Sequence, residues 1–168
     1  MASWISFFLF HKPEDLLSES VSSALSKLAI QLDELPDTNV CLYKALGPTS
    51  LKDAERLSTN SSFVVSVAIS PQPTLEAEVD LNAWYEEEHI SLLSQVPGWQ
   101  ACRRFSLIDI KSTVNSAPPP RYLALHAYKH LDGFTTPQFK AAANTPWRTR
   151  VMKSIVARER HVYRLADE

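Results

Sequence analysis

Seven residues, Phe63-Val64-Val65-Ser66-Val67-Ala68-Ile69, constrain the fold more than any other stretch of this chain. Valine and isoleucine carry two heavy atoms on Cβ, which suits a pleated sheet and restricts a helix. The run is therefore read as a strand, and Pro71-Gln72-Pro73-Thr74 breaks it. Leu81, Trp84, Tyr85, Leu92 and Val96 then recur at helical spacing, with Asp80 in position to cap the helix and Pro97-Gly98 to end it. Residues 99–110 read as a long strand, 111–120 as a polar, proline-rich loop, and 122–128 as a further strand. A helix opens near Thr136-Pro137, breaks at Thr145-Pro146, where proline cannot continue the hydrogen-bond ladder, and resumes over 147–156. His161-Val162-Tyr163 is the last strand. The order from Phe63 is β-α-β-β-α-β, the pattern of a ferredoxin-like α+β fold with helices on one face of an antiparallel sheet. The other face then needs a second sheet, from the N-terminal segment or from a partner.

The first part of the chain repeats some of that order. Trp4-Ile5-Ser6-Phe7-Phe8-Leu9-Phe10 reads as a strand expected to complete the C-terminal sheet, in this chain or in a partner. It lacks a basic leader and a small-residue cleavage site, Lys12-Pro13-Glu14-Asp15 follows at once, and it is far shorter than the ~20 residues of a membrane span. Leu16, Leu17, Val21, Leu25, Leu28 and Leu32 follow at helical spacing, and Pro36-Asp37 stops them. Val40-Cys41-Leu42-Tyr43 reads as a strand and 50–57 as a weak helix. Residues 1–60 are thus expected to form a degenerate first half-repeat and 61–168 a complete repeat, together one compact domain.

The 168 residues carry a net charge of −2 from 17 basic and 19 acidic side chains, which gives no steering field for nucleic acid and no polybasic membrane anchor. Cys41 and Cys102 belong to no CxxC pair and sit in apolar runs, so they read as reduced buried thiols of a cytoplasmic protein. The histidines show no metal-ligand spacing. With three glycines in the chain a phosphate-cradling loop is not expected, and a Gly-x-Ser-x-Gly elbow is lacking. What remains is chemistry done without cofactors, by acid–base side chains in a shaped apolar pocket.

The run Trp84-Tyr85-Glu86-Glu87-Glu88-His89, then Ile90, Leu92-Leu93 and Val96-Pro97-Gly98, resembles the helix motif of EthD-domain proteins. Arg103-Arg104-Phe105, Arg121-Tyr122-Leu123-Ala124-Leu125-His126 and Thr145-Pro146-Trp147 agree with it in order, so the resemblance covers about 62–165. It implies the dimeric α+β barrel superfamily, whose barrel is built from two ferredoxin-like repeats. These lie in two chains or, in many fungal members, in one. Here the first repeat lacks the motif, so closure within one chain and a homodimer both stay open. The family includes cofactor-free enzymes of fungal polyketide pathways, notably decarboxylases of aromatic acids. Superfamily relatives include cofactor-free oxygenases.

His89 falls on the apolar stripe, where an imidazole near or below neutral pKa can take and give a proton. The alternative is a structural histidine inside the core. Glu88 lies beside the stripe, while Glu86 and Glu87 read as a solvated face. On the strand 122–128, Tyr122, Ala124, His126 and Tyr128 share one face and Leu123, Leu125 and Ala127 the other. The aliphatic face is expected to pack on the helices, and the Tyr/His face to line a polar barrel interior that stacks an aromatic ligand. One of Arg103 and Arg104 faces inward to hold a carboxylate or phenolate. If the face of Trp99 and Phe105 packs on the helices, Arg104 is the pocket residue. His161 is a weaker third candidate; His11 and His130 read as solvent-facing. The candidate set is therefore His89 and His126 for catalysis, and Trp84, Tyr85, Glu88, Arg104, Tyr122 and Tyr128 for substrate binding, with no metal. The reading in front is a lyase or cyclase on an aromatic or polyketide-like acid, most specifically a decarboxylase. The alternatives are a cofactor-free oxygenase on a phenol and a non-catalytic binding protein.

Overall fold

The computed structural model describes residues 6–9, 39–46, 62–112 and 117–165. The helices expected before Pro36 and over 50–57, and His11, lie outside these. The chain divides into two compact units, 1–45 with 105–119, and 46–104 with 120–168.

In the first unit, β1 (Ser6–Leu9) pairs parallel with β2 (Asn39–Ala45). β2 pairs antiparallel with residues 105–112, with an irregularity between Leu42 and Tyr43. The N-terminal strand thus has β2 as its partner, where the sequence suggested the C-terminal sheet.

The second unit holds β3 (Phe63–Pro71), α1 (Leu75–Trp84), a π-helical turn (Tyr85–His89) and α2 (Ile90–Leu93). These are followed by β4 (Trp99–Ser112), whose C-terminal half pairs with β2, and by β5 (Tyr122–Tyr128). A 3₁₀ turn (Asp132–Thr135), α3 (Pro137–Ala142), α4 (Pro146–Lys153) and β6 (Ile155–Arg164) complete it. The strand order is β4-β5-β3-β6, with β3 antiparallel to both β5 and β6. Counted within the repeat, this is 2-3-1-4. The chain has an α+β, ferredoxin-like fold.

Local chemistry sets the helix ends. Thr74 caps α1 by accepting from the Ala77 amide at 3.2 Å, and Glu76 and Glu78 complement the positive end of the helix. The helix therefore starts at Leu75, ahead of the expected cap. Asp80 lies inside α1, where its carboxylate accepts from Trp147 Nε1 at 2.8 Å and Arg150 Nη2 at 2.6 Å. Thr136 and Thr145 cap α3 and α4, each followed by a proline at the first helical position. β6 begins at Ile155 and so takes over the end of the helix expected to reach 156. Gly98 has φ of +85°, and a Cβ there would come within 2.7 Å of the His130 carbonyl oxygen. That explains the glycine after Pro97.

Leu81, Trp84, Tyr85 and Ile90 from the helices bury against Ile69 of β3, Cys102 of β4, Ala124 of β5 and Val151 of α4. Fully buried aliphatics such as Leu81 and Val151 each stabilise by roughly 1.5–3 kcal/mol. This packing reverses one expectation. The Tyr122/Ala124/His126/Tyr128 face is the one under the helices, and Leu123, Leu125 and Ala127 lie on the other. Alternation defines the two faces, but polar ring tips can go inside when partners wait there, and His126 has Trp99 and Cys102.

Candidate functional site

The helix that begins at Leu75 does not run with uniform pitch. At Tyr85–His89 it widens into a π turn, in which the Ile90 amide donates to the Tyr85 carbonyl five residues back. Such insertions recur at functional sites. Here the wider turn brings His89 over Trp84, with ring centroids 4.1 Å apart and planes 23° from parallel. Trp84 is fixed in turn, because its Nε1 donates to Glu88 Oε2 at 3.0 Å. The same oxygen accepts from Thr145 Oγ1 at 2.6 Å. Glu88 therefore joins the π turn to the cap of α4.

Between this helix wall and the sheet lies a cavity of about 90 Å³. Val65, Val67 and Ile69 of β3 form its floor, and Leu93, Phe139 and Met152 contribute apolar cover. Trp84, Tyr85, His89, His126 and Tyr128 line it with rings. Arg148, Arg158 and Arg160 complete the wall. Arg158 and Arg160 are exposed and Arg148 is half-buried. None of the three forms an ion pair among the described residues. Arg160 instead rests its guanidinium 5.1 Å over the Phe134 ring.

Five of the eight candidate residues thus meet at one cavity. Glu88 stands behind Trp84. Tyr122 turns its hydroxyl to Glu78 Oε2 at 3.1 Å. Arg104 does face the helices, as its position on β4 opposite to Phe105 requires, but it is not on the cavity wall. Its Nη2 donates to Asn82 Oδ1 at 2.6 Å, and its guanidinium lies 4.2 Å from the Tyr85 ring centre. The condition set for it from sequence is not what places it inside, since the helix-packed face of β4 carries Cys102 and Arg104. His161 is exposed beside Glu159, 3.9 Å away. His130 pairs with Asp132. Sequence reasoning does not single out Arg148, Arg158 or Arg160: Arg148 falls in the expected helix from Trp147, and Arg158 and Arg160 fall between that helix and the strand expected at His161. Their signal was the shared parity of Arg158 and Arg160, which needs β6 to begin well before His161.

Burial governs the electrostatics. It pushes His89 down to about 3, with the charges of His126, Arg148 and Arg104 adding to it and a hydrogen bond to the Ala142 backbone opposing. Burial, then Arg104 and Arg160, push His126 down to about 4. Burial raises the Tyr85 and Tyr128 hydroxyls and pushes the Cys102 thiol up to about 12. Near neutral pH both imidazoles are neutral and the thiol is protonated.

The two histidines differ in what their nitrogens do. Trp99 Nε1 is a donor and lies 3.4 Å from His126 Nδ1, so that nitrogen accepts. Neutral His126 then carries its proton on Nε2, which faces Cys102 Sγ at 3.9 Å. Both of its nitrogens are engaged. His89 Nδ1 is buried and has no hydrogen-bond partner. Nδ1 of His89 thus has no partner among the described residues, whereas both nitrogens of His126 have one. Among the described residues, three or more His, Cys, Asp or Glu side chains nowhere come together as a metal site would require. Cys102 is a buried thiol outside any disulfide.

No family model matches the chain, and no curated protein matches it. Among solved structures, it is similar to an anthrone oxidase-like protein at 12% identity and a TM-score of 0.45. That match covers 64% of this chain and 45% of the other, so this chain spans under half the length of that protein. It is also similar to a dimeric protein of unknown function and ferredoxin-like fold from Bacteroides fragilis NCTC 9343, at 15% identity and a TM-score of 0.39, covering 64% of this chain and 100% of the other. A third is an EthD family protein from Bacillus halodurans C-125, at 12% identity and a TM-score of 0.35, covering 62% of this chain and 99% of the other. No helix among the described residues is long and apolar enough to cross a membrane.

Proposed function

We propose that this chain is an enzyme acting on a hydroxylated aromatic acid of the polyketide type, with His89 as its proton-transfer group and decarboxylation as its reaction. The observation that carries this is that His89, whose Nδ1 has no hydrogen-bond partner among the described residues, lines a cavity walled by rings and by arginines. The resemblance of the Trp84–His89 motif to EthD-domain proteins points the same way.

The residues suggest the steps. Neutral His89 takes the proton of the substrate's phenol, and cationic arginines stabilise the phenolate. The phenolate feeds electron density to the ring carbon that bears the carboxylate. His89 returns the proton to that carbon, which becomes tetrahedral. The bond to the carboxylate breaks, its electron pair restores the aromatic phenolate, and carbon dioxide leaves. Water then reprotonates the phenolate. The strongly depressed proton affinity of His89 makes it a poor base in the empty cavity, so the incoming anion has to raise that affinity.

The cavity is smaller than the roughly 300–1,000 Å³ of ordinary ligand pockets, so a single ring enters and the rest of a larger substrate extends past Arg158 and Arg160 toward solvent. The neutral state of His89 also favours a second reading. A base that only deprotonates a phenol would hand a phenolate to dioxygen, as a cofactor-free oxygenase does. We infer a homodimer, since β6 is an edge strand with Val156, Val162 and Tyr163 exposed. A panel of hydroxylated aromatic acids, followed for carbon dioxide release and for oxygen uptake, separates the readings. Carbon dioxide release under nitrogen supports decarboxylation. Turnover that stops without oxygen replaces it by oxygenation, and binding without turnover leaves an accessory binding protein.

A further inference from the structure

The three cavity arginines are not equivalent. Arg158 and Arg160 alternate on β6, opposite Ile69 and Val67 of β3, so both point to the cavity face of the sheet. Residues two apart on a strand lie about 7 Å apart, a span that one carboxylate can bridge. Both are exposed, at the outer strand of the sheet. Arg148 stands differently. It is half-buried in the first turn of α4, whose cap Thr145 is bonded to Glu88. The same Glu88 oxygen holds Trp84, on which His89 stacks. The turn of α4 that carries Arg148 is thus tied to the same carboxylate as the Trp84–His89 stack.

The geometry points to a division of labour: Arg158 and Arg160 bind the carboxylate of an aromatic acid at the cavity mouth, and Arg148 is a catalytic residue that stabilises the phenolate oxygen beside His89. This rests on the reading that the cavity is the substrate site. It assigns to these three residues the anion recognition expected of Arg104, which does not line the cavity and whose Nη2 donates to Asn82 while Nη1 lies 3.8 Å from Glu86 Oε1. Arg148 adds to the depression of proton affinity at His89, as a cation near that ring must. A guanidinium can donate to both oxygens of a carboxylate at once, and Lys cannot reproduce that geometry.

The test uses 4-hydroxy-3-nitrobenzoate, an aromatic acid whose phenolate absorbs in the visible, with 2-nitrophenol as the control lacking the carboxylate. Binding to the whole chain is measured by titration, and the proton affinity of the bound phenol from its absorbance between pH 5 and 8. In that range Tyr85 and Tyr128 stay protonated and the arginines stay charged, and the same titration in His89→Gln removes the imidazole whose proton affinity the bound anion raises, so a shift that persists there belongs to the probe. The parent should bind the acid about tenfold or more tighter than 2-nitrophenol. The bound phenol should titrate about 1–3 pH units below the free probe. Arg148→Gln should return that titration toward the free value and change affinity less, and Arg148→Lys should restore part of it. Arg158→Gln and Arg160→Gln, exposed positions whose change does not disturb the core, should weaken the acid about tenfold and leave the titration of the bound fraction in place. An unchanged titration in Arg148→Gln, or unchanged affinity in the two β6 variants, overturns the division while the His89 reading stands. No saturable binding to the parent removes the cavity as a substrate site, and the inference with it. Binding that divides as expected with no turnover of any acid keeps the inference and removes the enzyme reading.

Discussion

The imidazole of His89 is stacked on the indole of Trp84, 4.1 Å between centroids, and the contact exists because a π turn replaces a regular turn at this point of the helix. In a regular helix residues five apart diverge around the axis. The widened turn brings them together, and the Trp84–Glu88–Thr145 bonds hold the arrangement against α4.

Trp84→Phe tests that support. Phenylalanine keeps an aromatic surface under His89 but removes the donor to Glu88 Oε2. A partly buried carboxylate then loses one of two hydrogen bonds. The expected cost is about 1–3 kcal/mol, read as a lowered midpoint in a denaturant melt. An unchanged midpoint would mean that Glu88 is satisfied by water and does not anchor the turn.

Acid should destabilise the protein earlier than its carboxylates require. His89 and His126 have folded proton affinities near 3 and 4, below the ordinary histidine value of 6.5. The unfolded chain therefore binds more protons than the folded one as pH falls below 6.5. Stability is full above that pH and declines as pH drops toward 4, by up to about 2.7 kcal/mol per pH unit while both contribute. Denaturant melts at pH 7, 6, 5 and 4.5 check this. His89→Gln should roughly halve the slope. A flat profile down to pH 4.5 would show that the imidazoles charge freely in the fold.

Gly98→Ala should lower stability by more than about 1 kcal/mol. Its φ of +85° is costly for a residue with Cβ, and the new atom would press on the His130 carbonyl. A thermal melt of the variant matching the parent would contradict the strain.

Much of this fold is legible in the sequence. The β-branched run of β3, the glycine and prolines of the helix ends, and the alternation of β5 suffice for the β-α-β-β-α-β order. Three things are not legible, each for a physical reason. The start of α1 depends on Thr74, which a preceding Pro-Gln-Pro stretch disguises as loop. The π turn breaks the 3.6-residue period on which any stripe reading rests, so the stacking of His89 on Trp84 is invisible to it. Which face of β5 meets the helices depends on partners from β4, Trp99 and Cys102, and alternation carries no such information. His89, His126, Trp84, Tyr85 and Tyr128 are nonetheless found at one cavity, whereas Arg158 and Arg160 come from a strand whose start is misplaced by several residues, and Arg148 from a helix face that no apolar stripe marks.

The central claim is that His89, whose Nδ1 has no hydrogen-bond partner among the described residues, moves the proton, while His126 is tied up by Trp99 and Cys102. The most direct measurement is kcat for carbon dioxide release by the parent, His89→Gln and His126→Gln on a hydroxylated aromatic acid that the parent turns over, beside melts that confirm folding. The account predicts a loss of about 10²–10⁴-fold in His89→Gln and less than about tenfold in His126→Gln. A folded His89→Gln that keeps near-full rate, with His126→Gln inactive, would contradict it.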